Sequence, residues 1–301
     1  MATTKAVLII GGSGFIGTHL ALKLRESHKV FATYLSKPMR IPGVTFIPLD
    51  VGNRNWVKRI VYSSRPDVVI YAAGSSNLDW AEAHARDAER VHTGGPATVS
   101  NVADILQPRF IYLSNCYVFD GNKGNYHEGD IVLPSYSLGK VKVGGENFIR
   151  GKAMNHIIIR SSPLLGCGNG RNISFLDHLR MKLIRNERIE LPVSEFHSFA
   201  FITSFIDFVA KMVDSGPKNK TLHYGGLTKL THYELARKFA KRFSYNEDLI
   251  FQSQHTKRGS IEAEIADYSL NSSWVAENLK IKPLLLEECF DLLEKELVSS
   301  F

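Results

Sequence analysis

The sequence predicts an α/β fold: a doubly wound parallel sheet followed by a smaller C-terminal α+β lobe. Three observations predict it. Short apolar runs alternate with amphipathic helical stretches through the first half of the chain. A glycine-rich turn directly follows the first of those runs. After Cys167 the alternation loosens into helices mixed with short strands.

Taken in order, AVLII (6–10) reads as a strand, and THLALKLRESH, beyond the glycines, as a helix. KVFATYL (29–35) and VTFIPLD (44–50) read as strands, with a helix near NRNWVKRIVYSS. DVVIYAA (67–73) is a continuous apolar run, and a long helical segment is predicted from near Asp79. RFIYLS (109–114) is a further strand; the helix carrying Lys142 and then HIIIRSS (156–162) follow. Runs that are apolar throughout indicate strands covered on both faces, which is the condition of a parallel sheet. Right-handed crossovers then wind helices over both sides. This assigns residues 1–165 to the sheet domain.

Residues 166–301 form the second lobe, with part of 200–225 expected to return to the first domain. GCGNGRN (166–172) reads as a loop. Helices are predicted near 174–185, 203–214, 231–243 and 284–297, and strands at RIELPV (188–193) and TLHYGG (221–226). Ligands of such sheets bind at the carboxyl ends of the strands, where a lobe of this kind would close over them.

The chain has 301 residues, 44% hydrophobic and 22% charged, enough for a full core. No apolar run approaches the roughly 18 residues of a membrane span. AVLII falls short of the roughly 7–15 residues of a secretory signal core. The expectation is a cytoplasmic protein with no membrane partner. Cys116, Cys167 and Cys289 are far apart and lack metal-ligand spacing, so neither a disulfide framework nor a metal site is indicated. The net charge is +7 and the pI about 9.2. The densest basic stretches, RMKLIRNER (180–188) and RKFAKR (237–242), carry apolar residues at helical spacing. They read as solvated helix faces rather than a nucleic-acid surface. A positive field also suits a small anionic ligand such as a dinucleotide or nucleotide sugar.

GGSGFIG, Gly11 to Gly17, fits both Gly12-x-Gly14-x-x-Gly17 and Gly11-x-x-Gly14-x-x-Gly17. Glycines there permit a tight turn, let the backbone approach a pyrophosphate and pack the helix closely on the strand. The helix N-terminus adds free N–H groups and a partial positive charge. The position marks a Rossmann dinucleotide site in which Gly11, Ser13, Gly14, Phe15, Ile16 and Gly17 hold the cofactor. At the end of the second strand an acid would hold the ribose of NAD, and a base the 2′-phosphate of NADP. ATYLSKPMR (32–40) has no acid but has Ser36, Lys37 and Arg40. That favours NADP, with NAD possible; the alternative for Lys37 and Arg40 is an exposed loop.

Several segments together resemble the extended short-chain dehydrogenase/reductases, and within them the dTDP-4-dehydrorhamnose reductase branch, which includes the beta subunit of methionine adenosyltransferase. They are GGSGFIG, PLD ending at Asp50, PDVVIYAAG, YLSNCYVFDG (112–121), YHEGD (126–130) and P-x-x-x-x-G-x-x-K-x-x-G-E (134–146). The resemblance implies that Asp50 and Val51 lie near the adenine, that Ala72, Ala73 and Gly74 line the cofactor cleft, and that Lys142 bonds the nicotinamide ribose. It implies a nucleotide-linked sugar as substrate.

The chain departs from the family pattern at three positions. Asn115 stands where the family has Ser or Thr, Leu138 where it has Tyr, and His92 where it has Asn. In these reductases a carbonyl oxygen becomes an alkoxide and needs a proton. A Tyr one helical turn from a Lys supplies it, because the ammonium lowers the phenol pKa from about 10. Leucine has no proton to give, whereas Asn115 can still donate from its amide. Pro134, Gly139 and Gly145-Glu146 fix Leu138 at the tyrosine position. Tyr136, two residues away, points about 200° around the helix from Lys142. It could face inward only if it precedes regular helix, with Ser135 as N-cap. His92 and His127 are alternative proton relays or structural residues. The catalytic candidates are therefore Lys142, Asn115 and Tyr136. Three functions remain: an NADP-dependent reductase of a nucleotide-linked 4-keto sugar with altered acid–base chemistry, a non-catalytic NADP-binding protein that regulates or scaffolds a protein partner, and, ranked last, a basic nucleic-acid-associated regulator on the same fold.

Overall fold

The computed structural model describes residues 3–153, 155–168, 172–253, 257–258, 261–262 and 265–299. Residues 169–171 of the GCGNGRN segment lie outside them. The chain forms two compact units: Met1–Val118 with Tyr136–Arg160 and Phe205–Leu222, and Phe119–Ser135 with Ser161–Ser204 and His223–Phe301. The first unit thus ends its main run before residue 165 and takes back a helix and a strand from within 200–225. The second unit also takes in the loop 119–135.

The first unit is a parallel sheet with helices on both faces. Its elements are β1 (Ala6–Ile10), α1 (Phe15–Leu24), β2 (Lys29–Tyr34), β3 (Val44–Pro48), α2 (Arg54–Ser64) and β4 (Val68–Tyr71). Then come α3 (Leu78–Ala83), α4 (Ala85–Glu89), α5 (Gly95–Ala103), β5 (Arg109–Asn115), α6 (Ser137–Lys152) and β6 (His156–Ser161). With the strand Lys220–Tyr224 the sheet runs, edge to edge, from that strand through β6, β5, β4, β1 and β2 to β3. The pairings from β3 to β5 are parallel. The strand order reverses between β1 and β4, so a crevice opens at their carboxyl ends. β4 and β6 are buried at every position, as continuous apolar runs require. Leu8, Val61, Val69, Phe110, Ile149 and Ile158 share one core.

The long helix expected from Asp79 is broken. Asn77 caps α3, and His84, at φ −126° and ψ 50°, separates it from α4. Arg90–Gly94 is then a π-helical turn that leads into α5. Pro96 at the start of α5 has no N–H to give the preceding turn, which loosens the ladder there. Such wide turns within helices are frequent at functional sites.

In the second unit, helices Phe175–Ile184 and His232–Arg242 both open with capping boxes, Ser174 with Asp177 and Thr231 with Glu234. Their apolar faces meet around Leu179, Leu183, Leu235, Phe239 and Phe290. Among the described residues no helix is long and apolar enough to cross a membrane.

Candidate functional site

The glycine turn after β1 is built by close contacts. Gly11 has φ +84°, and a Cβ there would lie 2.6 Å from the Ala73 Cα. Its N–H donates to Thr33 Oγ1 at 3.0 Å. A Cβ on Gly17 would run into the Gly11 carbonyl and the Gly12 Cα, so α1 approaches the turn more closely than any side chain allows. Gly14 is the N-cap of α1, with no side-chain cap bond. Gly14, having no side chain, gives the first turn of α1 no cap bond.

A cleft of about 400 Å³ opens beside this turn. Gly11, Ser13 and Gly14 line it from the turn; Asp50 and Val51 from the end of β3; Ala72, Ala73 and Gly74 from the end of β4. Phe15, Ile16 and Gly17 form the first turn of α1 and are not on the cleft wall. Ser36, Lys37 and Arg40 are exposed beyond β2 and do not line it either; Thr33, Tyr34 and Leu35 do. No acid stands among those three.

Sequence reasoning missed Trp80, Asp87, Arg90 and Val91, which also line the cleft. They lie on the helical segment that was expected to be continuous. Arg90 Nη1 reaches Asp50 Oδ2 at 3.2 Å, and Arg90 Nη2 reaches Asp87 Oδ1 at 3.5 Å. Asp50 Oδ1 accepts the Gly52 N–H at 2.9 Å.

His92 is 1% exposed and sits behind Gly74. Gly74 has φ +112°, and a Cβ there would meet the imidazole. His92 Nε2 is 3.0 Å from the Ser75 carbonyl, which makes Nε2 the protonated nitrogen and leaves Nδ1 an acceptor. Nδ1 is buried with no hydrogen-bond partner among the described residues. Burial, then the Lys142 ammonium, hold His92 well below the ordinary imidazole pKa, so it is neutral at physiological pH. His127 lies at an exposed turn of the second unit, where its N–H donates to Asp130.

The register of α6 is clear from burial. Lys142 is 8% exposed and Lys140 is exposed. Lys142 Nζ donates to the Leu113 carbonyl at 2.8 Å and stands 5.2 Å from the centre of the Tyr112 ring. Burial, opposed by the Glu146 charge, lowers its pKa to about 8. Leu138, on the same face one turn earlier, is fully buried against Ala81, Ala88 and Val141. Tyr136, not Ser135, is the N-cap: it has extended φ and ψ and makes no side-chain cap bond. The Glu82 carboxylate takes the capping role, accepting the Ser137 N–H at 2.9 Å and the Ser137 hydroxyl at 2.8 Å. The Tyr136 ring meets Tyr117 edge to face at 5.6 Å. Asn115 Oδ1 accepts the Tyr117 N–H at 3.0 Å, folding the end of β5 into a turn.

Further along α6, Glu146 is buried in a polar network. Arg160 grips it with two bonds of 2.9 and 2.7 Å, Ser114 donates at 2.6 Å and Arg150 at 3.0 Å. Burial pushes the Glu146 pKa up, but Arg160, Ser114 and Arg150 outweigh it and hold the carboxyl below its ordinary range. Glu146 is thus engaged with other partners, and the one described hydrogen bond of Lys142 is to a backbone carbonyl. Among the described residues no cluster of side chains could hold a metal ion, and none of the three cysteines is in a disulfide.

A parallel sheet in this order, with its glycine turn at the crevice and a buried lysine on the helix after β5, defines an extended short-chain dehydrogenase/reductase. The chain matches the RmlD substrate binding domain over residues 5–282 and belongs to that family. It is 31% identical over 161 residues to dTDP-4-dehydrorhamnose reductase of Aggregatibacter actinomycetemcomitans, a match to 53% of this chain and 52% of the relative. It is 26% identical over 164 residues to methionine adenosyltransferase 2 subunit beta of Bos taurus, covering 54% and 48%. The chain thus spans about half the length of these two relatives. Among solved structures, a hypothetical dTDP-4-dehydrorhamnose reductase from Sulfolobus tokodaii superposes with a TM-score of 0.81 at 26% identity, covering 93% of this chain and 97% of that one. The Bacillus anthracis dTDP-4-dehydrorhamnose reductase in complex with NADP shares the fold, with a TM-score of 0.84 at 20% identity over 98% and 100%.

Proposed function

We propose that this chain binds NADP(H) in the cleft of its first unit and reduces a nucleotide-linked 4-keto sugar, without a phenol at the usual proton-donor position. The observation that carries the reading is the cleft itself. Its glycine turn brings backbone and the uncapped start of α1 to one wall, which suits a pyrophosphate. The end of β2 has no acid to repel a 2′-phosphate, and Ser36, Lys37 and Arg40 follow it on an exposed segment that can reach one. Asp50 and Val51 border the adenine end, and Ala72, Ala73 and Gly74 the middle. The cofactor relative solved with NADP and the relatives named as reductases support the same reading.

Bound there, NADPH supplies a hydride to a carbonyl carbon. The chain then has to orient the ligands and deliver a proton to the carbonyl oxygen. Lys142 orients: one of its three N–H donors is fixed on the Leu113 carbonyl, which leaves the others for a ribose hydroxyl. Leu138 delivers nothing. Tyr136 stands at the helix cap beside Tyr117, and Lys140, its partner by spacing, is exposed. The group on this face whose pKa lies near neutrality is Lys142, at about 8. Its ammonium is the proton source, directly or through a water, and Asn115 contributes at most an amide donor. Loss of a dedicated general acid costs about 10²–10⁴ in rate, so slow turnover is expected.

The test is NADPH fluorescence titration followed by absorbance at 340 nm with a panel of nucleotide 4-keto sugars. Saturable binding and slow oxidation that declines as pH rises through about 8 are the expected results. Saturable binding without oxidation on every substrate would point instead to the regulatory alternative.

A further inference from the structure

The π-helical turn Arg90–Gly94 contributes Arg90 and Val91 to the wall of the cleft, and one proline unsettles its hydrogen bonds. The Gly95 N–H reaches back to the Arg90 carbonyl, five residues away, so it does not serve Val91. Pro96 stands five residues after Val91 and four after His92 and has no N–H for either carbonyl. Two buried hydroxyls take the place of the missing donors. Tyr71 Oη donates to the Val91 carbonyl at 2.6 Å, and Tyr112 Oη to the His92 carbonyl at 2.9 Å.

The two tyrosines form one device. They are register partners on β4 and β5, with ring centres 5.9 Å apart and no solvent exposure. Burial pushes both phenol pKa values up, so both remain protonated donors. Glycines make room for them. A Cβ on Gly95 would run into the Tyr71 hydroxyl, and one on Gly145 into the His92 carbonyl and the Tyr112 hydroxyl. The turn they hold carries Arg90 and Val91 on the cleft wall, and His92 behind Gly74.

We propose that Tyr71 and Tyr112 are positioning residues for the dinucleotide, acting through the Val91 and His92 carbonyls to set the height of the Arg90–Val91 wall. This rests on the reading that the cleft binds NADP(H). Phenylalanine at either position keeps the packing and removes only the donor, so the π-helical turn must shift or leave a buried carbonyl unpaired.

The experiment measures NADPH dissociation constants for wild type, Tyr71→Phe, Tyr112→Phe and Gly95→Ala, together with hydrogen exchange of the 88–98 backbone. Gly95→Ala presses on the Tyr71 hydroxyl from the opposite side but also meets Val51 on the cleft wall, so Tyr112→Phe, which leaves Val51 alone, covers the case in which Tyr71→Phe folds poorly. Each variant is expected to weaken NADPH binding about three- to tenfold, the worth of one buried hydrogen bond. Exchange should quicken in 88–98 and stay unchanged in α2. A purely structural role predicts quicker exchange or a lower melting temperature with NADPH affinity unchanged within about twofold, and that result overturns the proposal. A wild type that binds no NADPH removes the cleft reading, and the positioning role with it. A wild type that binds, with variants that match it, removes the positioning role alone.

Discussion

Two helices of the first unit begin under opposite conditions. α1 starts at Gly14, with no capping side chain, beside the cleft. α6 starts at Tyr136, and the Glu82 carboxylate already occupies the N–H and hydroxyl of Ser137. Both N-termini carry the same partial positive charge. At α1 no N-cap side chain takes it up; at α6 the chain's own acid satisfies it. The difference teaches where this molecule keeps a binding surface and where it has turned the same kind of element into packing. Beyond its closed start, α6 buries Leu138 among alanines, and the polar chemistry begins only at Lys142.

The largest effect is expected within α6, at Glu146. Glu146→Ala leaves Arg160 buried without its carboxylate and should cost about 3–5 kcal/mol in urea unfolding. The wild-type pH dependence follows from the sign of the Glu146 shift. Its folded pKa is below the unfolded value, so its stabilisation is complete above the unfolded carboxylate range. It is lost as pH falls through the folded pKa. An acid-side stability loss that survives in the variant would show that other carboxylates govern it.

Lys142→Met tests the same face with the opposite sign. The folded pKa of about 8 lies below the ordinary lysine value of 10.5, so between these values the unfolded chain binds more protons. Wild-type stability should therefore rise with pH across that window. The methionine variant should lack that rise and gain up to roughly 2–3 kcal/mol at pH 7, while losing NADPH affinity. A destabilised variant would mean that the Leu113 bond outweighs the desolvation of the ammonium.

At the open helix, Gly17→Ala forces a methyl into the Gly11 carbonyl and should cost about 1–3 kcal/mol. Because the displaced atoms belong to the glycine turn, NADPH titration should show a larger loss than for any α6 variant of similar stability. The smallest effect is expected from Glu82→Ala, which uncaps α6 at a cost of about 0.5–2 kcal/mol in thermal unfolding. NADPH affinity should stay unchanged; a marked drop would show that the start of α6 also serves the ligand.

Local pattern made much of this legible. The alternation of apolar runs and helices marked every strand of the sheet from β1 to β6, since strands covered on both faces must be apolar throughout. Position placed the glycine turn, and the family resemblance set Leu138 and Lys142 in register, one helical turn apart on one face; that Lys140 points out is seen only in the structure. The broken helix after β4 was not legible. His84 interrupts it through its backbone angles, and the π-helical turn persists because hydroxyls from β4 and β5 satisfy its carbonyls. Arg90 and Trp80 reached the cleft wall by that route, and no motif announces them.

The sequence by itself determined the doubly wound class, the glycine turn, the acid-free end of β2 and the absence of a phenol at position 138. Each of these is a matter of residue type at short spacing, which the chain carries wherever it goes. Only the tertiary structure decided that Glu82 closes α6 from 55 residues away, that Arg160 and Ser114 claim Glu146, and that Tyr71 and Tyr112 hold the wall of the cleft. Those pairings join groups far apart along the chain and form only once the sheet has brought the partners together; burial makes those of Glu146, Tyr71 and Tyr112 obligatory.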